Sequence, residues 1–228
     1  MIAHVCRAAL RVPGVDAVVV ATDDDRVARA VEGSGAVARM TASTHRTGTD
    51  RVAEVAAALD CQIVVNLQGD EPFVHPEMLR ATIAPLHEDP SLNMSTVCRP
   101  ITDEADLANP NVVKVVRDAR GRALYFSRSP IPFLRGPRPT MLKHIGIYGY
   151  RRAFLLHFAQ LPPTPLEQAE SLEQLRALEH GYQIHAALTE HDSIGIDTPD
   201  DLERARQLLA ARSHPVTHGV AVPERART

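Results

Sequence analysis

The stretch Ile63 to Pro72, IVVNLQGDEP, is an apolar run that stops at two adjacent carboxylates, Asp70 and Glu71. Ile63, Val64, Val65 and Leu67 precede the first turn residue, Gly69, a pattern suited to a strand buried on both faces of a parallel sheet. Gly69 permits a tight turn and Pro72 ends regular pairing, so both acids fall at the carboxyl end of the strand, where ligands bind in open α/β sheets. An ordinary turn with solvated acids has the same pattern. A further acid, Asp197, lies in GIDTPDDL at Gly195 to Leu202. Thr198, Pro199 and Asp201 form a helix-start signal that employs Asp200 and Asp201 as cap or dipole carboxylates, whereas Asp197 precedes the cap and is not needed by it. Gly48 and Thr49, with Arg51 in the first turn of the helix they open, make either an anion or base-edge site or a plain capped loop. In a helix over Leu166 to His180, Glu167, Glu170 and Gln174 fall within an arc of about 60°, opposite Leu172 and Leu175. That polar comb is either a solvated face or one wall of a site for a polyhydroxyl ligand.

The elements that must position these residues follow a largely alternating α/β order. Ile2, Val5, Ala9 and Val12 have helical spacing, so the chain opens on a helix; Val15 to Thr22 and Asp24 to Gly33 make a first βα unit ending its strand at Thr22 and Asp23. Gly33, Gly35 and Ala38 mimic a dinucleotide fingerprint but follow a helix instead of joining a strand to one, which argues against NAD. A short strand is predicted over Ala36 to Met40, and Thr49 as N-cap of a helix over Asp50 to Leu59. After the Asp70 loop come a helix at Pro76 to His87, a strand at Asn93 to Ile101, and a hairpin of Val112 to Arg117 with Ala123 to Ser127, turning at Gly121. Ser129 to Thr140 is a proline- and arginine-rich arm. His144 to Tyr150 reads as a strand, Arg151 to Phe158 as a helix, Leu166 to His180 as one long helix closed by Gly181, Gln183 to Thr189 as a strand and Leu202 to Ala211 as a helix. A single domain over residues 1–212 and a disordered tail over 213–228 are expected.

With 228 residues, 44% hydrophobic and 23% charged, the chain can bury a full core without staples. A net charge of −3 supplies no global attraction to nucleic acid or to an anionic membrane. Three widely spaced cysteines, Cys6, Cys61 and Cys98, fit reduced thiols in a cytoplasm better than disulfides or zinc ligands. No apolar run approaches the ~18 residues of a membrane span, and no charged-then-apolar leader is visible. The expectation is a cytoplasmic protein that binds neither nucleic acid nor the membrane interior.

Seven blocks in order carry a resemblance: TGTDR at Thr47 to Arg51, QGDEP at Gln68 to Pro72, ALYFSR at Ala123 to Arg128, HIGIYGY at His144 to Tyr150, PLEQ at Pro165 to Gln168, LEQLR at Leu172 to Arg176 and GIDTPDDL at Gly195 to Leu202. Together they resemble the CMP-Kdo synthetases, the 3-deoxy-manno-octulosonate cytidylyltransferases, from Met1 to about Leu209. The resemblance implies a Rossmann-like, glycosyltransferase-A-like nucleotidyltransferase fold: a mixed, mostly parallel sheet with helices on both faces and a hairpin and arm inserted. It implies transfer of CMP from CTP to the anomeric hydroxyl of Kdo for lipopolysaccharide biosynthesis, with Mg²⁺ and a homodimer. By the same resemblance Asp70 and Asp197 are catalytic and bind the metal. Asp23, His45, Gly48, Thr49, Arg51 and Gln68 hold the nucleotide, and His144, Tyr148, Glu167, Glu170 and Gln174 line the sugar pocket. Arg128 is a candidate partner of the sugar carboxylate.

The family pattern opens with a strand and a loop R-x-x-S-x-R-x-P-G-K that grips the triphosphate, then a helix beginning P-M-I-x-H-V; this sequence begins at Met1, Ile2, His4 and Val5 of that helix. The expectation is a start codon placed too far downstream, or a truncated gene. Two rival readings are a cytidylyltransferase for another acid sugar, such as a sialic acid, and a non-catalytic remnant that binds nucleotide or sugar.

Overall fold

The computed structural model describes residues 1–193, 195, 196, 203 and 206. The chain opens on α1 (Ile2–Ala9), whose Val5, Cys6 and Ala9 are buried. β1 (Val19–Thr22), α2 (Asp25–Val31) and β2 (Val37–Met40) follow; Asp24 caps α2 by accepting the Arg26 N–H at 2.7 Å, and β1 pairs with β2 in parallel. α3 (Gly48–Ala57), β3 (Ile63–Asn66), α4 (Pro76–Glu88), β4 (Met94–Pro100) and a short α5 (Glu104–Ala108) come next. β5 (Lys114–Arg117) and β6 (Ala123–Ser127) form the expected hairpin, with Gly121 at φ +83° in its turn. β7 (Leu142–Arg151), α6 (Arg152–Phe158), α7 (Pro165–Glu170), α8 (Gln174–Glu179) and β8 (Ile184–Leu188) complete the described elements, and Gly181, at φ +81°, follows the end of α8 as expected.

β7 is the strand on which the larger, six-stranded sheet is assembled. It pairs antiparallel with β4 along one edge, and along the other with β3 at its carboxyl end and with β5 at its amino end. β8 lies beyond β4, in parallel. The mixed α/β architecture is as expected, and β3, β4, β5 and β8 do run in a common direction. Because β7 is inserted among them in the opposite sense, most ladders are antiparallel, and the expectation that β3 sits inside a parallel sheet is corrected: among the described residues its ladder is to β7 alone. Two apolar clusters cover the sheet. One holds Met94, Cys98, Phe126, Tyr150, Phe154, Phe158 and Leu175; the other holds Val74, Met78, Leu79, Val97, Ile145 and Ile147.

Two further expectations change. Thr47, not Thr49, caps α3, its hydroxyl accepting the Asp50 N–H at 3.1 Å, so Thr49 is a buried residue of the first turn. The long helix predicted over Leu166 to His180 is two helices, broken at Ser171 with φ +53°. The break has a tertiary cause: the Arg128 guanidinium takes the carbonyls of Glu170 at 2.7 Å and Ser171 at 3.4 Å. Glu167, Glu170 and Gln174 therefore do not form one helical comb. The predicted helix over Leu202 to Ala211 and the tail from residue 213 lie outside the described residues apart from Glu203 and Arg206, which are helical.

Gly149 sits in the middle of β7, where an added Cβ would lie 2.6 Å from Ser95 Oγ and 3.0 Å from both Leu86 Cδ1 and Thr82 Cγ2. Ser95 cannot easily yield, because its hydroxyl donates to the Thr82 carbonyl at 2.5 Å. Gly149→Ala is expected to lower the unfolding free energy by roughly 1–3 kcal/mol through overpacking; an unshifted urea-denaturation midpoint would contradict this packing.

Candidate active site

Along one edge of β7, β3 ends opposite Tyr148 and β5 begins opposite Lys143, so residues between these points face a gap between the two neighbours. The carboxyl end of β3 and the amino end of β5 therefore border this gap, with the Val113 carbonyl still accepting the His144 N–H at 2.8 Å on the β5 side. Asn66 and Gln68 lead from β3 into the Asp70 loop on one side; His144 and Tyr148 stand on β7 itself.

The nucleotide-side residues gather in two groups. Arg51 lies 3.0 Å from the Asp23 carboxylate and donates to Thr41 Oγ1 at 2.5 Å, which ties the end of β1 to α3. His45 bonds Glu54, and this contact, together with the Ala42 N–H, holds the Glu54 carboxyl below its ordinary range. The second group runs inward from Gly48, whose Cα approaches the Gln68 side chain closely enough that an added Cβ would sit 3.4 Å from its Oε1. Gln68 donates to Asn66 Oδ1 at 3.3 Å, Asn66 donates to Thr49 Oγ1 at 3.4 Å, and Thr49 donates to Glu173 Oε2 at 2.6 Å. Sequence reasoning missed Asn66 and Glu173. Glu173 lies inside the LEQLR block beside Gln174, but its link to Thr49, 124 positions away in the chain, is purely tertiary.

On the sugar side His144 and Tyr148 are adjacent, with ring centroids 5.3 Å apart, and Phe126 packs edge-on against His144. His144 contacts Thr96 Oγ1 through Nε2 at 2.9 Å, and burial pushes its pKa down to about 3. Burial also raises the Tyr148 phenol well above its ordinary value, with Tyr150 and Glu173 adding to the shift. Glu170 accepts from Ser127 Oγ at 2.6 Å and from the Arg128 N–H at 2.8 Å. Glu167 has a structural role: Arg176 donates to its Oε1 at 3.1 Å, while Oε2 accepts the Thr164 N–H at 3.1 Å to start α7. Arg128, the candidate for the sugar carboxylate, spends its guanidinium on the carbonyls of Glu170, Pro110 and Ser171. Gln174 is 3% exposed and its Nε2 has no hydrogen-bond partner among the described residues; the buried Oε1 of Glu173 likewise accepts no hydrogen bond, though it forms an ion pair with Arg176 Nη2 at 4.0 Å. Buried polar atoms left unpaired are costly, and these two mark where a ligand would complete the network.

The Asp70 loop is stitched to the segment after β8. The Ile196 N–H donates to the Asp70 carbonyl at 3.0 Å, Ser193 Oγ donates to Glu71, and His75 stacks on His191 with centroids 3.6 Å apart. Asp197 itself lies outside the described residues. Among the described residues no group of three or more His, Cys, Asp or Glu side chains is placed to hold a metal.

A family model described as cytidylyltransferase matches residues 1–184. The chain is 51% identical to a 3-deoxy-manno-octulosonate cytidylyltransferase of Geobacter sulfurreducens, over 92% of this chain and 88% of that protein. It is likewise 51% identical to the enzyme of the same name from Pelobacter propionicus, with the same coverage. Among solved structures, a CMP:2-keto-3-deoxy-manno-octonic acid synthetase complexed with CTP superposes with a TM-score of 0.88 at 46% identity, covering 92% of this chain and 88% of that one. The 4-diphosphocytidyl-2C-methyl-D-erythritol synthase of Anaerococcus prevotii, 18% identical with a TM-score of 0.57, shares the fold, covering 90% of this chain and 89% of that one.

The depressed pKa of His144 makes stability depend on pH. The unfolded chain takes up this proton near the ordinary value of 6.5 and the folded chain only near 3, so stability is complete above about 6.5 and declines as pH falls towards 3. His185, also depressed mainly by burial, adds a contribution of the same sign. In His144→Gln, the fall in melting temperature between pH 6.5 and 4.5 should be shallower than in the parent chain; equal slopes would contradict a buried neutral imidazole.

Proposed function

Because the chain belongs to the cytidylyltransferase family and, within it, to the CMP-Kdo synthetases, we propose that it joins the anomeric hydroxyl of Kdo to the α-phosphate of CTP and releases pyrophosphate. The observation that carries this reading is the crevice along β7. The Gln68, Asn66, Thr49 and Glu173 chain, the adjacent His144 and Tyr148 rings, and the Gln174 amide that lacks a hydrogen bond supply its polar groups. Displacement at phosphorus depends on positioning and charge neutralisation more than on covalent help from the protein, which suits a site built from hydrogen-bonding groups without an activated nucleophile.

Within this reading Asp23, His45, Gly48, Thr49, Arg51 and Gln68 hold the nucleotide. Gly48 lets the backbone come close, and Arg51, paired with Asp23 at 3.0 Å, supplies a cation for phosphate charge. Gln174 and Tyr148 offer donors to a polyol, and Glu173 offers an acceptor. Glu170 orders the Ser127 and Arg128 wall of the pocket. Asp70 and Asp197 would hold Mg²⁺: they are hard oxygen donors, and the Ile196 N–H on the Asp70 carbonyl brings the residue preceding Asp197 against the Asp70 loop. A pair of carboxylates suits a cation that keeps waters and substrate oxygens as its other ligands. When bound, that ion would orient the sugar hydroxyl and offset charge on the α-phosphate.

We place the enzyme in the cytoplasm as a homodimer serving lipopolysaccharide synthesis. The three cysteines are free, none paired with another, which supports a reducing compartment. No helix among the described residues is long and apolar enough to cross a membrane. The arm between β6 and β7 leaves Phe133 86% exposed and Leu134 also exposed, and Leu124 on β6 is exposed too, which supports a contact with a second copy.

Asp70→Asn should abolish Mg²⁺-dependent pyrophosphate release while leaving the circular-dichroism spectrum and melting temperature close to the parent's; an unchanged rate would remove Asp70 from the metal site. Gln174→Ala should raise the KM for Kdo by about tenfold, the equivalent of one hydrogen bond of about 1.4 kcal/mol, with little change for CTP. The reverse pattern would move Gln174 to the nucleotide side.

A further inference from the structure

The ladder between β4 and β7 is irregular where it passes the crevice. Thr96 pairs with Tyr148, but Val97 pairs with Ile145, so Gly146 and Ile147 form a bulge without residues opposite them. A bulge leaves backbone groups out of the ladder. Thr96 repairs this defect: fully buried, it places Oγ1 2.8 Å from the Ile147 carbonyl and 3.3 Å from the Ile145 carbonyl.

A hydroxyl carries one proton. Carbonyls only accept, so the Thr96 proton is committed to the bulge and its remaining lone pairs are left to accept. His144 Nε2 stands 2.9 Å from the same oxygen, and this contact is a hydrogen bond only if Nε2 carries the hydrogen. Burial keeps the ring neutral. Nδ1 is then a bare lone pair, and no described residue donates to it.

Resting on the substrate reading above, we propose that Thr96 is a positioning residue that locks His144 as its Nε2–H tautomer and so dedicates Nδ1 to accepting a hydrogen bond from a hydroxyl of the sugar acid. The lock also says what His144 does not do. A neutral ring with its lone pair facing the ligand repels a carboxylate, so it orients the polyol end of the sugar. A sugar lacking that hydroxyl would bind more weakly, because the Nδ1 acceptor of the half-buried ring would lose its ligand hydrogen bond.

The test begins on the parent chain without substrates. A long-range ¹H–¹⁵N correlation spectrum of ¹⁵N-histidine-labelled protein at pH 7 is expected to show His144, assigned by its loss in His144→Gln, protonated on Nε2 alone. An Nδ1–H or doubly protonated ring overturns the lock and leaves the substrate reading untouched. Thr96→Val, which keeps the shape and deletes the hydroxyl, should move the proton at least partly to Nδ1 and raise the KM for Kdo about tenfold, with the KM for CTP and the kcat changed less than about twofold. Thr96→Ser should restore both the tautomer and the KM, and it carries the test if the valine variant fails to fold. Equal effects on both KM values, or a serine variant that restores neither, contradict the positioning role. An Nε2–H ring in a folded chain that does not use Kdo overturns the assignment of Nδ1 to the sugar.

Discussion

The structure depends on one strand serving three ladders. β7 is held on one side by β4 and on the other by β3 and β5 in succession, and the crevice exists because those two neighbours do not meet along it. The same strand contributes His144 and Tyr148 to the crevice and Tyr150 and Gly149 to the packing beneath it. Its side chains on the site are therefore fixed by the core. Tyr150 is 1% exposed and stacks with Phe154 and Phe158 of α6, so β7 cannot shift register without dismantling an aromatic cluster.

On this frame the site is built from polar groups joined across long stretches of chain. The Thr49 to Glu173 bond fastens the nucleotide side to α8, and the Arg128 carbonyl contacts create the Ser171 break that lets α8 leave the line of α7. Glu167 and Arg176 lock the two short helices together, with side chains only 12% and 7% exposed, a setting in which removing one partner costs more than the pair contributes. What lacks a hydrogen bond is informative in contrast: Gln174 Nε2 has no partner and Glu173 Oε1 only a 4.0 Å ion pair to Arg176, an arrangement that is costly by itself and complementary to a ligand rich in hydroxyls.

Much of this was legible in the chain itself. Local chemistry was read correctly where it acts locally: the βα unit of β1 and α2, the hairpin turn at Gly121, Gly181 after α8, and the carboxylates after the β3 stretch. Direction was not. The apolar run Ile63 to Leu67 has the composition of a parallel strand, but its partner arrives with β7, and nothing within a strand of four residues encodes the sense of a neighbour that distant. The predicted helix over Leu166 to His180 contains no glycine or proline to stop it before Gly181 except Pro165 ahead of it. The break at Ser171 is imposed by Arg128 from the end of β6, a tertiary override of helical periodicity. The polar comb failed for that reason: Glu170 holds Ser127 and Arg128, Gln174 is buried with its amide nitrogen free of hydrogen bonds, and Glu167 turns inward to Arg176. Thr96 carried no signal at all in the sequence, since its role exists only opposite a bulge.

In the proposed reaction this crevice forms a cytidine nucleotide–sugar link with Kdo as acceptor. That reaction is tested most directly by supplying the purified chain with CTP, Mg²⁺ and an equimolar mixture of Kdo and a sialic acid, and reading the nucleotide-sugar products by mass spectrometry. The predicted result is CMP-Kdo with stoichiometric pyrophosphate and no CMP-sialate; CMP-sialate as the main product, or a folded chain that forms no CMP-sugar, would contradict it.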